Sequence, residues 1–205
     1  MSPFVLWLSR LSAFASMPAV WGIFFAGAVI YLIAGWRVRL LALIVQFFFI
    51  GILYAHLFAD RPEIALLKLI VGWLVCGALY LSARMREEAI PQERRFSWAA
   101  DVPFRALTLA VLGFSAYIAS QRYILPFVSA DLAVACFLLG ALALLFIGTE
   151  EDTVVVGVGI LNLLAALDLF YSSQDPGLLV TGFLVVVNLL VGLAISYLTV
   201  IEVAE

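Results

Sequence analysis

Charge is what this chain has least of. Only 12% of its 205 residues are Asp, Glu, Lys or Arg while 66% are hydrophobic, and the water-facing surface of a soluble domain cannot be assembled from so few charges. Histidine occurs once, at His56, and cysteine twice, at Cys76 and Cys136, all far apart in apolar stretches. That leaves no zinc, haem or disulfide spacing, so both cysteines read as packing residues. Without soft or imidazole ligands in a group, no metal and no cofactor beyond lipid is expected. The ten arginines and one lysine form no block, which excludes a nucleic-acid surface. No basic region precedes the first apolar residues and Arg10 interrupts them, so a cleavable targeting segment is not expected.

What is present is a series of apolar runs of membrane-spanning length. They predict an all-α integral membrane protein, one membrane domain over 1–205 with seven transmembrane helices. Residues 3–16 place Phe4, Trp7, Leu8, Leu11 and Phe14 at helical spacing, with Ser9, Arg10 and Ser12 largely opposite, an interfacial helix. Helix 1 is expected over Met17–Ala34, helix 2 over Leu40–Phe58 and helix 3 over Ile64–Ser82, joined by tight turns at Gly35–Arg39 and Asp60–Glu63. Pro62 suits the first turn of helix 3. Met85–Pro103 is the longest polar segment, a loop or surface helix. Helix 4 follows at Phe104–Ser120, then helix 5 at Phe127–Gly148, an acidic hairpin at Thr149–Thr153, helix 6 at Val154–Tyr171 and helix 7 at Leu178–Ile201.

Seven crossings divide the arginines unequally. Arg37, Arg39, Arg84, Arg86, Arg94, Arg95 and Arg105 fall on one side, against Arg10, Arg61 and Arg122 on the other, which predicts an outside N-terminus and a cytoplasmic C-terminus.

The span Ile64–Ser82 contains one ionisable side chain, Lys68. An ammonium at mid-membrane costs roughly 2.5–3.5 kcal/mol on insertion scales, so it must face protein or a wet cavity, or reach the headgroups. Two readings follow: Lys68 carries or gates charge, or it snorkels over the roughly 9 Å that separate it from Pro62. Asp168, near the end of helix 6, reads as part of a wet path or as a solvated cap. His56 reads as a path member or as an interfacial residue at the end of helix 2. Gln46, Asn162 and Asn188 lie deeper, either as interhelical hydrogen-bonding groups or as holders of ordered water. Gly72 and Gly192 are places for close helix approach. The acidic residues Glu150, Glu151 and Asp152 form a solvated hairpin, or repel anions or contact a partner, and Phe47–Phe49 reads as lipid-facing or interhelical packing.

Helices 1–3 and 5–7 look like two copies of one unit. Arg37 precedes Gln46 by nine residues and Thr153 precedes Asn162 by nine; Lys68 precedes Gly72 by four and Asn188 precedes Gly192 by four. Repeat 1 covers 17–84 and repeat 2 covers 127–205. The polar loop and linker helix of 85–126 restore the direction of the chain, so the two three-helix repeats are parallel.

Such units resemble the small K subunit of bacterial complex I and the C subunit of Mrp-type sodium/proton antiporters, and the whole chain resembles the E component of hydrogenase-4. The resemblance rests on Gly35-Trp36-Arg37-Val38-Arg39 through Gln46, on Ala65-Leu66-Leu67-Lys68-Leu69-Ile70-Val71, on the spacing from Asp152 to Gly159, and on Asn188-Leu-Leu-Val-Gly192-Leu-Ala. Two departures stand out. Position 188 is asparagine where the K subunit has a glutamate, and helix 6 has Leu161 and Leu164 near where related chains place their other glutamate, with Asp168 one turn further on. A neutral amide exchanges no proton.

The resemblance implies a noncatalytic inner-membrane subunit of an ion-translocating, electron-transport complex, seated among antiporter-like membrane subunits and lipid. Its own task is then to hold that arm together and to contribute Lys68, His56, Gln46, Asn162, Asp168 and Asn188 to a lateral proton path. The alternative is a purely structural subunit of another respiratory or photosynthetic assembly. A standalone transporter is disfavoured, because too few polar groups converge at the midplane.

Overall fold

The computed structural model describes residues 16–33, 35–59, 61–89, 98–123, 125, 128–150, 152–174 and 177–201. Among these, seven helices and no strand occur: α1 (Ser16–Leu32), α2 (Trp36–Leu57), α3 (Pro62–Ala89), α4 (Trp98–Arg122), α5 (Ala130–Thr149), α6 (Thr153–Gln174) and α7 (Leu178–Ile201). Six of them, α2 to α7, are long and apolar enough to cross a membrane, and α1 is a shorter apolar helix. This is a multi-pass membrane architecture. The interfacial helix expected over 3–16 lies outside the described residues up to position 15, and Ser16 already opens α1.

Several helix ends lie further out than hydropathy suggested, at the start of α2 and α4 and the end of α3 and α6, whereas α7 has the expected bounds. Helix α2 starts at Trp36, with extended Gly35 (φ −74°, ψ 116°) ahead of it, so Arg37 and Arg39 belong to its first turn rather than to the hairpin. Arg39 is pulled inward there, and its Nε donates to the Ile33 carbonyl at 2.8 Å, satisfying an acceptor at the end of α1. Helix α3 continues to Ala89, past the expected stop near Arg84, since nothing between Ser82 and Ala89 breaks a helix. Pro62 occupies its first position, where a missing N–H costs nothing. Helix α4 starts at Trp98 and runs through Pro103, so part of the segment expected as a polar loop is helical.

Packing follows a simple scheme. Helices α1, α2 and α3 pack in chain order, and so do α5, α6 and α7. The two trios then lie against each other, α1 on α5, α2 on α6 and α3 on α7, with α4 at the side against α1 and α5. Helix α5 is innermost, with 61% of its apolar window buried, whereas α4 has 11%. Leu43, Leu53, Leu79, Leu139, Phe146, Leu161 and Leu169 are wholly buried between the trios.

Two glycines set the spacing of the helices. A Cβ at Gly72 would lie 2.8 Å from the Phe47 ring of α2, and one at Gly192 would lie 2.5 Å from Val75 of α3. Phe47 is thereby interhelical and buried, not lipid-facing.

Candidate functional site

Helix direction decides which residues can meet. Short turns make consecutive helices antiparallel, so the C-terminal parts of α2 and α6 and the N-terminal parts of α3 and α7 share one end of the bundle.

At that end, Lys68 and Asp168 form a buried ion pair. The Lys68 Nζ donates to Asp168 Oδ1 at 2.6 Å and to Ser172 Oγ at 2.8 Å, while the Tyr54 hydroxyl donates to Asp168 Oδ2 at 2.7 Å. Ser172 Oγ also lies 3.2 Å from Asp168 Oδ1, one helical turn along α6. The ammonium sits 4.0 Å from the centroid of the Tyr54 ring and 5.6 Å from that of Phe58, so ring quadrupoles replace part of the hydration it has lost. Both members of the ion pair are buried within the protein, with residue exposures of 7% for Lys68 and 8% for Asp168. Snorkelling of Lys68 and capping by Asp168 are therefore both corrected: each group is drawn inward because the other, of opposite charge, stands at its own depth.

The opposite end holds a second charged cluster. Arg39 of α2 and Arg86 of α3 both reach Asp152, at 3.5 and 2.9 Å, and Arg105 of α4 reaches Glu150 at 2.5 Å. Arg39 also lies 3.9 Å from Glu150. Asp152 precedes α6 and accepts from the Val154 N–H at 3.3 Å, so the carboxylate that caps the helix also binds two arginines. Arg105 donates to the Tyr31 carbonyl at 3.0 Å, adding the end of α1 to the cluster. Glu150 and Asp152 are thus not solvated, while Glu151 lies outside the described residues. Glu150 is buried, because three arginines from three other helices converge on it and on Asp152.

Between the two ends lie the amides. Gln46 and Asn162 are 0% and 1% exposed, and neither their oxygens nor their nitrogens have a hydrogen-bond partner; the Asn188 Oδ1 is buried and unpartnered as well. None of the three makes the interhelical hydrogen bond that a glue role requires. A cavity of about 20 Å³ is bounded by Tyr54, Lys68, Asp168 and Asn188, with Phe47 and Ala165 among its apolar walls. That is room for about one water molecule. His56 stands apart, exposed on α2.

No family model, curated protein or solved structure matches the chain. The arrangement offers a carboxylate and an ammonium held in contact away from lipid, two hydroxyls bound to them, and neutral amides further in. Among the described residues no group of His, Cys, Asp and Glu is arranged to hold a metal ion.

Lys68, Asp168 and Asn188 are brought to one cavity, with Gln46 and Asn162 deeper. Tyr54, Ser172, Arg39, Arg86, Arg105, Glu150 and Asp152 were not anticipated as site residues. For the first two a signal existed: Ser172 follows Asp168 by one turn, and Tyr54 follows Gln46 by eight residues, which is the same helix face.

Proposed function

We propose that this chain is a noncatalytic integral subunit of an ion-translocating membrane complex of the hydrogenase-4, complex I and Mrp antiporter type. It scaffolds neighbouring membrane subunits, and its Lys68–Asp168 pair forms a station on a lateral proton path. In this reading the chain crosses the bacterial inner membrane seven times as two parallel three-helix repeats joined by α4, with the N-terminus outside and the C-terminus inside. The pairing of α1 with α5, α2 with α6 and α3 with α7 supports that organisation, since each helix lies beside its counterpart.

The observation that carries the reading is the Lys68–Asp168 contact. Burying two opposite charges contributes little net stability, because desolvation offsets their attraction. Ionisable groups inside membrane spans characteristically serve ion pathways. His56, exposed near the same end, is where such a path meets a neighbouring subunit.

One observation favours the alternative of a purely structural subunit. Asp168 accepts from Lys68, Ser172 and Tyr54 together, which is also how a permanent clamp is built. Lys68→Ala in the intact complex separates the two. Under the first reading proton translocation falls while the complex still assembles; unchanged translocation removes the pathway role. Copurification in mild detergent identifies the partners, and a lone monomer that transports a substrate would contradict both readings.

A further inference from the structure

Helices α2, α6 and α7 each present one amide in the interior, at nearly the same depth. Measured from the Lys68 end at about 1.5 Å per residue, Asn188 is about 15 Å from the start of α7, Gln46 about 16 Å from the end of α2 and Asn162 about 18 Å from the end of α6. Lys68 and Asp168 stand at about 9 Å on the same scale. Helices α2 and α6 are parallel and pinned at both ends, by Arg39–Asp152 at one and Tyr54–Asp168 at the other, so their amides cannot drift apart along the axis.

An amide taken from water into an apolar interior without a hydrogen bond costs roughly 2–7 kcal/mol, depending on the reference. Five buried amide atoms here, two on Gln46, two on Asn162 and the Asn188 oxygen, have no protein partner. The cavity that touches Asn188 also touches Lys68, Asp168 and Tyr54. Beyond the amides, towards the arginine cluster, the next turn on the same faces of α2 and α6 carries apolar side chains: Ala42 and Leu43 on one, Val155 and Val158 on the other, all buried.

We propose that the Gln46, Asn162 and Asn188 amides hold ordered water at mid-depth, reached from the Lys68–Asp168 cavity and sealed from the arginine cluster by Ala42, Leu43, Val155 and Val158. The ligand is water, and the site is one-sided: wet from the Lys68 end to the middle of the bundle, dry beyond. The amides stay neutral and orient the waters. A proton passing between this water and the Lys68–Asp168 cavity binds the Asp168 carboxylate, converting it to the acid and releasing its hold on the Lys68 ammonium. Hydration of the site stands on the orphaned amides alone, whereas its part in proton transfer rests on the proposed function.

Water-edited solid-state NMR of the full chain in lipid bilayers tests the site without any substitution. Magnetisation transfer from water to the side-chain NH₂ groups of Gln46 and Asn162 is expected, with none to the methyls of Leu43, Val155 and Val158. Dry amides overturn the proposal, and wet methyls overturn its one-sidedness. In the intact complex, Gln46→Leu with Asn162→Leu is expected to reduce proton translocation while the complex assembles; full translocation by that variant overturns the conducting role. Should Lys68→Ala alone leave translocation unchanged, the proposed function fails, yet wet amides beside dry methyls would still establish the hydration site.

Discussion

The Lys68 Nζ and the Asp168 Oδ1 are 2.6 Å apart, although their residues are separated by 100 positions in the chain. Removing one partner from a buried pair leaves an uncompensated charge, a loss of about 3–5 kcal/mol. The two removals are not equivalent. Asp168 keeps the Tyr54 and Ser172 hydroxyls, so Lys68→Met is expected to destabilise less than Asp168→Leu, which leaves the ammonium with Ser172 and aromatic rings. The double variant should recover most of the loss. Thermal unfolding in detergent measures all three, and additive losses in the double variant would contradict the pairing.

Tyr54→Phe removes only the hydroxyl that donates to Asp168 Oδ2, leaving the ring beside the ammonium. A hydrogen bond to a charged group contributes about 1.5–3 kcal/mol, and a loss of that size is expected. In the Asp168→Leu background the same substitution should cost far less, a coupling that a double-mutant cycle reads directly.

At the other end, burial ranks the arginines. Arg39 is 4% exposed at its side chain while Arg86 and Arg105 are each 23% exposed, so water screens the latter two more. Arg39→Ala should destabilise by about 3 kcal/mol or more and Arg86→Ala by about 1 kcal/mol or less. Raising the salt concentration should weaken the Arg86 contribution and leave that of Arg39 nearly unchanged. Equal effects from both would show that the cluster is solvated throughout.

Glycine substitutions test the packing without touching a charge. Gly192→Ala presses a methyl against Val75, and overpacking of this kind costs about 1–3 kcal/mol. Val75→Ala in the same chain should relieve it. At Gly77 nothing lies within 4 Å, so alanine there is expected to be neutral or to stabilise by up to about 1 kcal/mol through helix propensity. Unfolding midpoints of these variants provide the comparison.

Hydropathy alone delivered the helices, because a span needs length and apolarity and both are one-dimensional. It misplaced their ends where polar residues continue a helix beyond the apolar run, as Arg37 and Arg39 do in α2 and Met85 to Ala89 do in α3. The ion pair was half legible. Lys68 lies six residues from the start of α3 and Asp168 six from the end of α6, at one depth and of opposite charge, but which helices adjoin is a tertiary fact. The arginine cluster was not legible at all. Its carboxylates sit in a hairpin, where solvation is the ordinary expectation, and only the convergence of α2, α3 and α4 turns them inward.

Among the described residues, Arg39, Lys68 and Arg86 each meet a carboxylate that comes far later in the chain. Arg39 precedes Asp152 by 113 residues, Arg86 precedes it by 66, and Lys68 precedes Asp168 by 100. During synthesis the first three helices therefore enter the bilayer before the acids that neutralise them exist. A chain truncated before Asp152 would lack the carboxylates that Arg39, Lys68 and Arg86 meet in the finished bundle.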